Sequence, residues 1–194
     1  MAYAYGHLTR LARKMNFSIH KQKKASENIH YEILMFDFTS RMLRKQSIRS
    51  NQLILNTFLE SWLVHLRNLL DFFYTDISKR YKDDVLARDF VKNARNYKKD
   101  RAKFRDLKQI KKKIAKQLAH LTYHRNKYNN KTRLWNFNKY SKEIFLTIFS
   151  FYDCLPKNKK RWKAFSALKS IIDERFGPIA NALLNEIDSL SKNS

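Results

Sequence analysis

The residues that make tight turns are scarce in this sequence. Its 194 residues include two glycines and two prolines, and the prolines follow Leu155 and Gly177. Because glycine and proline supply most tight turns, the chain has too few of them for a sheet built from many hairpins. Lysine, leucine, alanine and phenylalanine fill long uninterrupted segments instead. The composition therefore predicts an all-α protein.

Cysteine and long apolar runs are scarce as well. Cys154 is the one cysteine, so no disulfide can form within the chain and no cysteine cluster is available for a metal ion. No apolar run approaches the roughly 20 residues of a membrane span, and the N-terminal sequence lacks the apolar stretch of a signal peptide. We therefore expect a cytoplasmic protein that is not bound to a membrane and that holds no metal ion or cofactor.

Positive charge is abundant and unevenly placed. The net charge is +24, from 41 basic and 17 acidic residues. Residues 92–133, which we call the basic segment, hold sixteen lysines and arginines against two aspartates. Self-repulsion in such a segment opposes folding, and a nucleic acid that releases counterions on binding is the commonest partner that relieves it. The alternatives are a solvated charged face, an acidic protein partner or a membrane surface.

Apolar residues recur at helical spacing along most of the chain, which predicts one antiparallel bundle of about six helices. Residues 1–26 are basic and poorly periodic, so we expect an N-terminal arm there and the bundle domain over 27–194. Ser26 is the expected cap of a first helix from Glu27 to about Gln46, and Ser50 or Asn51 is the expected cap of the next. The remaining helices are predicted near these ranges: 51–74, 100–127, 135–154, 158–175 and 178–191.

The predicted helix over 100–127 separates apolar from basic residues at 100° per residue. One face carries an apolar stripe: Leu107, Ile110, Ile114, Leu118 and Leu121. The roughly opposite face carries bases and two imidazoles: Lys113, Lys116, His120, His124 and Lys127. Because the imidazoles titrate near neutral pH inside a strongly positive field, this face is predicted to contact phosphates.

Further residues of the basic segment are expected to take part in binding. The lysines expected on phosphates, besides those of the helix face, are Lys108, Lys111 and Lys112. Most aromatic residues nearby are expected in the core, but Tyr97, Tyr123 and Tyr128 are expected to be reachable for stacking on unpaired bases. The pattern therefore predicts a surface suited to single-stranded or structured RNA.

Three polar residues of the otherwise apolar helix over 51–74 lie within about 40° of one another, and we call them the polar seam: Glu60, Arg67 and Asp71. Arg67 and Asp71 are spaced i, i+4 and are expected to pair. The seam is either a solvent-facing strip or a surface that faces His120, where a carboxylate orients the imidazole and Arg67 contacts a phosphate.

The segment Leu118–Arg125, LAHLTYHR, follows the long basic helix and the central-helix sequence HLRNLLDFFY over His65–Tyr74. Together these residues resemble the HEPN superfamily, small all-α proteins of prokaryotic toxin, antiphage and CRISPR-associated ribonucleases. The superfamily signature is an arginine followed a few residues later by histidine, often as RNxLAH. This chain has the final LAH, but Ala115 and Lys116 stand where Arg-Asn would be.

The resemblance implies metal-independent RNA cleavage, with His120 as general acid or base and a cation on the phosphate oxygens. Lys113, Lys116 or Arg67 would supply that cation, and Glu60 and Asp71 would help to position the groups that contact the phosphate. It also implies a homodimer with a composite site. A HEPN-like protein that binds RNA without cutting it is the alternative, as is a basic subunit of a ribonucleoprotein or defence complex. RNA is expected rather than DNA, since no helix-turn-helix spacing is present.

Overall fold

A computed structural model describes residues 18–101, 104, 106–118 and 135–174, with the side chain of Asp100 excepted. Over these residues every regular element is helical, which confirms the all-α class. The α-helices are α1 Ile19–Met42, α2 Gln46–Arg49, α3 Gln52–Tyr74, α4 Ala94–Asp100, α5 Leu107–Leu118, α6 Phe137–Asp153, α7 Lys157–Lys160 and α8 163–174. Two short 3-10 helices, Ile77–Lys79 and Ala87–Asp89, lie between α3 and α4.

The first helix begins earlier than the sequence predicts. Ser18 is its N-cap, and the Ser18 hydroxyl accepts a hydrogen bond from the Lys21 amide at 3.3 Å. Ser26, the predicted cap, is buried inside α1 and donates to the Lys23 carbonyl instead. The stretch 19–26 of the expected arm is therefore helical, although its lysines obscure the periodic spacing of its apolar residues. Residues 1–17 lie outside the described part of the chain.

The predicted helix over 100–127 is wrong at its start, because an earlier helix ends where it was predicted to begin and the next helix begins seven residues later. Helix α4 ends at Asp100, and α5 begins at Leu107. Arg101 adopts an extended backbone conformation with ψ of 146°, and its guanidinium donates to the Phe73 carbonyl at the end of α3. Phe104 is buried in the core between the two helices. These tertiary contacts interrupt the helical path.

The later helices match the predictions more closely. Asn51, one of the two predicted caps, accepts from the amides of Leu53 and Ile54, and α3 ends at Tyr74 as expected. Helix α6 starts two residues later than predicted, capped by Asn136. The predicted helix over 158–175 is divided into α7 and α8, and the one over 178–191 lies outside the described residues.

Helix α3 is the centre of the bundle. Its buried side chains, with Trp62, Leu66 and Phe73 among them, pack on α1, α5 and α6. Each such side chain stabilises the fold by about 2 kcal/mol. Contacts with α1 run in opposite order along the two helices, since Glu32 meets His65 and Phe38 meets Phe58. The two helices are therefore antiparallel.

A polar junction ties three of these helices together inside the core. The Trp62 indole N–H donates to the Ser40 hydroxyl at 2.9 Å, and the Ser141 hydroxyl donates to the same oxygen at 3.1 Å. All three residues are buried. Because a buried donor without a partner costs about 1–3 kcal/mol, this junction favours a single arrangement of α1, α3 and α6.

The connection between α3 and α4, residues 75–93, is held by a buried ion pair. The Arg80 guanidinium donates to both carboxylate oxygens of Asp89, at 2.9 and 2.8 Å, and also to the Asp84 carbonyl. The side chains of Arg80 and Asp89 are only 7% and 12% exposed. These contacts join the two ends of the stretch Arg80 to Asp89 within the connection. None of the described helices is long and apolar enough to cross a membrane.

Candidate nucleic-acid interface

Helix α5 places its apolar residues on the core as predicted. Ile110 and Ile114 are buried, and Leu107 and Leu118 pack against the same cluster. The fifth residue of the predicted stripe, Leu121, lies outside the described residues. With its apolar side anchored, α5 presents its remaining side chains at the surface and at the two flanks.

The outward side of α5 carries three lysines spaced four residues apart, Lys108, Lys112 and Lys116, which we call the lysine row. Lys108 and Lys112 are exposed, and Lys116 is partly exposed. Among the residues that the structure describes, none of the three pairs with a carboxylate. Residues four apart are neighbours on a helix surface, so the row is one continuous strip of positive charge.

One flank of α5 is joined to the polar seam of α3. The Lys111 ammonium donates to the Asp71 carboxylate at 2.6 Å, and the Arg67 Nε lies 3.9 Å from the other Asp71 oxygen. The Asp71 side chain is 51% exposed, so each pair contributes at most about 1 kcal/mol. Their main effect is to hold the side chains of Arg67 and Lys111 on two sides of one carboxylate.

Glu60 does not join this group. It is exposed, and in the described part of the chain it makes no ion pair. It lies eleven residues before Asp71, which is about 16 Å along the helix. The two carboxylates of the predicted seam are therefore separate surface features.

The other flank of α5 carries Lys113, stacked on an aromatic ring. The Lys113 ammonium lies 4.2 Å from the centroid of the Trp135 ring, and the Trp135 indole donates to Gln117 at 2.7 Å. Burial lowers the pKa of Lys113 from its ordinary value. This contact holds the side chain against the bundle, apart from the lysine row, which makes Lys113 less available to phosphates than Lys108 or Lys112.

Tyr97 is not available for stacking, so the expectation that it is reachable is wrong. The side chain is 2% exposed and packs edge-on against Phe151 of α6 at 6.1 Å. Burial raises the pKa of its hydroxyl. The Arg101 guanidinium lies 4.6 Å from the centroid of the Tyr74 ring and 5.9 Å from that of the Tyr97 ring.

The remaining predicted site residues lie outside the described residues: His120, Tyr123, His124, Lys127 and Tyr128. Among the described histidines, His65 is buried and its Nδ1 lies 2.7 Å from a Glu32 carboxylate oxygen, with the Tyr31 ring edge-on beside it. The described residues contain no group of three or more histidines, cysteines or carboxylates that could hold a metal ion.

Two clefts that the sequence did not predict lie on either side of the chain at Tyr74, Thr75 and Asp76. The larger has a volume of about 640 Å³, and its charged lining is balanced between three acids and three bases. These residues are Asp71, Asp76, Asp84, Lys79, Lys108 and Lys111. Since the charges cancel, this cleft adds little to the attraction of a polyanion.

The smaller cleft, of about 250 Å³, has a different balance, and we call it the cationic pocket. Its charged lining is Arg88, Arg95, Lys98, Arg101 and Asp76. The sequence carries a signal for part of it, because Arg95, Lys98 and Arg101 recur at intervals of three residues. Arg88 comes from the 3-10 helix Ala87–Asp89, and only the fold brings it to the other bases.

Comparison with protein-family models, with curated proteins and with solved structures found no match for this chain.

Proposed function

We propose that this protein binds RNA, with the lysine row of α5 as the described part of the binding surface. The observation that carries the proposal is the separation of lysines on this helix. Lys111 and Lys113 are held at the flanks by Asp71 and Trp135, whereas Lys108, Lys112 and Lys116 point away from the core with no carboxylate partner among the described residues. Unpaired cations in a row attract a phosphate backbone and release its counterions.

The spacing of the lysine row supports a strand that lies along α5. Residues four apart rise by about 6 Å along a helix axis, so three lysines extend over about 12 Å and meet successive phosphates of one strand. Recognition of this kind depends on charge and position and carries no base sequence information. RNA is proposed rather than DNA on the HEPN resemblance of the segment that follows Leu118.

The test is a salt titration of RNA binding with a charge-matched control. We expect the triple variant Lys108→Gln, Lys112→Gln, Lys116→Gln to lose about tenfold or more in affinity and to show a shallower salt dependence. The control replaces Lys45, Lys142 and Lys163, which are exposed on other elements, and has the same net charge. Equal losses in both variants would show that total charge, not the row, governs binding.

A second candidate function is cleavage of the bound RNA. It is supported by the HEPN resemblance and by one observation, the position of Arg67 beside the Asp71–Lys111 pair at the flank of α5. A guanidinium offers phosphate oxygens two parallel donors that a lysine cannot. Arg67 is 50% exposed, so a phosphate can reach it. His120 is the proposed general acid or base.

Cleavage is tested with labelled RNA in the presence of EDTA, which removes metal-dependent nuclease contamination. We expect cutting to be lost in His120→Ala and reduced in Arg67→Ala, with RNA retention preserved in both. His20→Ala, at an exposed position of α1, is the control and keeps wild-type activity. Retention without any cutting would identify a binding protein or the subunit of a larger complex. A molar mass in solution of twice that of the chain would agree with the expected dimer.

A further inference from the structure

The cationic pocket lies at the C-terminal end of α3 and is walled by one face of α4. Four residues of α4 line the pocket, Ala94, Arg95, Tyr97 and Lys98, together with Arg101, which follows the helix in an extended conformation. Phe72 and Leu86 are among the apolar residues that close the inner side. The pocket therefore combines apolar side chains with several basic groups in one lining.

Charge in the pocket is strongly unbalanced. Four bases face one carboxylate, which leaves a net charge of +3. The carboxylate of Asp76 is already engaged, because the Ser78 amide and hydroxyl donate to it at 3.0 and 3.1 Å. These hydrogen bonds, with smaller attractions from Lys98 and Arg88, lower the pKa of Asp76. The carboxylate is thus fixed and neutralises only part of the basic lining.

The four bases divide into one fixed and three available groups. Arg101 is fixed, since it donates to the Phe73 carbonyl and stacks over Tyr74. Arg88, Arg95 and Lys98 are exposed residues and form no ion pair with any described carboxylate. A concave site with three unpaired cations is a favourable place for an anion, because each added charge-assisted hydrogen bond is stronger than a neutral one.

We propose that the cationic pocket binds a terminal phosphate group, carried either by the end of a nucleic acid or by a free nucleotide. Its volume of about 250 Å³ lies below the roughly 300–1,000 Å³ of sites for drug-sized ligands. It therefore suits a small group that enters from one side rather than a continuous strand that must pass through. A terminal phosphate carries close to two negative charges near neutral pH, whereas a backbone diester carries one.

This assignment goes beyond the proposed RNA binding and does not depend on it. The lysine row attracts backbone phosphates along an open helix, whereas the cationic pocket selects a chain end or a mononucleotide. A protein that failed to bind internal RNA would still bind a phosphomonoester in the pocket. The two sites are therefore separable by experiment.

The test uses the full chain and two matched ligand pairs, with and without the phosphate. The first pair is AMP and adenosine, measured by calorimetry. The second is one oligoribonucleotide with a 5′-phosphate or a 5′-hydroxyl, measured by fluorescence anisotropy. We expect the phosphorylated member of at least one pair to bind about tenfold more tightly, the effect of one charge-assisted hydrogen bond. Binding of AMP alone identifies a free nucleotide as the source, and preference in the oligonucleotide alone identifies a chain end.

Variants on α4 assign the preference to the pocket. We expect Arg95→Gln with Lys98→Gln to abolish the phosphate preference and to leave affinity for the 5′-hydroxyl RNA unchanged. The control, Lys92→Gln with Lys99→Gln, removes the same charge at exposed neighbouring positions outside the pocket and keeps the preference. Lys98→Gln alone is the milder variant should the double substitution impair folding. No preference in either ligand pair, or a preference that survives Arg95→Gln with Lys98→Gln, would overturn the proposal.

Discussion

The Lys111 ammonium of α5 and the Asp71 carboxylate of α3 form a hydrogen-bonded ion pair at 2.6 Å, forty residues apart in the sequence. Both groups are partly exposed. The pair therefore adds little to stability, but it decides which lysines of the basic segment remain available at the surface. It also places a negative charge at the margin of the proposed RNA surface.

Asp71→Asn should increase RNA affinity. Removing this charge frees Lys111 and Arg67 for phosphates and takes away a repulsive group, an effect of about threefold at low salt. Thermal unfolding should shift by no more than a few degrees. The measurement is fluorescence anisotropy with a short RNA. Asp173→Asn breaks the exposed Lys169–Asp173 pair on α8 and should leave affinity unchanged, so equal gains in both variants would contradict the prediction.

Arg80→Ala should be strongly destabilising. The substitution leaves the Asp89 carboxylate, 12% exposed, without its bidentate partner, and breaking a buried ion pair in this way costs about 3–5 kcal/mol. Arg80→Lys keeps the charge but loses the fork, so we expect an intermediate loss. Urea unfolding measures the free energy of each variant. Lys169→Ala, which breaks an exposed pair, serves as the control, and a loss at Arg80 no larger than at Lys169 would refute the argument.

Ser40→Ala tests the polar junction of α1, α3 and α6. The variant leaves the buried Trp62 indole N–H without its acceptor, for which we expect a loss of about 1–3 kcal/mol in the free energy of unfolding. Ser50→Ala removes an exposed hydroxyl that donates to the Ser47 carbonyl and should change stability by less than about 0.5 kcal/mol. Chemical denaturation monitored by tryptophan fluorescence compares the two.

Tyr97→Phe should change the response of stability to alkaline pH. Burial raises the pKa of Tyr97 above its ordinary value of 10.0, so the folded state holds the proton more firmly than the unfolded state. The associated stability is complete below pH 10 and is lost as pH rises beyond it. Unfolding from pH 8 to 11 should therefore show a smaller decline in Tyr97→Phe than in wild type. Tyr81→Phe, at a 77% exposed position, should decline as wild type does.

Much of the fold could be predicted because it follows from periodicity within single helices. The apolar arc of α3 and the apolar stripe of α5 are local patterns, and both appear in the structure where they were expected. The break between α4 and α5 could not be predicted in this way, because it depends on a hydrogen bond from Arg101 to Phe73, 28 residues away.

The candidate site also combines features that are visible in the local sequence with features that only the fold produces. The four-residue spacing of the lysine row is visible in the sequence, but the predicted basic face grouped Lys113 with Lys116. The separation of Lys111 and Lys113 from the row depends on Asp71 and Trp135, which other parts of the chain supply. Burial of Tyr97 was missed because a tyrosine in a basic segment has the same local sequence whether it faces solvent or the core. Arg88 lies outside the basic segment, so its place in the cationic pocket depends on how the connection between α3 and α4 folds and not on a local spacing.

A continuous set of contacts leads from the core to the basic surface. Ser40 bonds Trp62, the Trp62 ring meets Trp135 edge-on at 6.0 Å, and Trp135 carries Lys113 at 4.2 Å. Contacts between leucines and phenylalanines alone would allow one helix to shift along another by a turn, about 5.4 Å, because apolar packing is not directional. The hydrogen bond from the Trp62 indole to the Ser40 hydroxyl does not allow this shift, because it forms at one register only. The position of α1 along α3 is therefore set by a buried hydroxyl, and the ring contacts from Trp62 through Trp135 connect that position to Lys113 on α5.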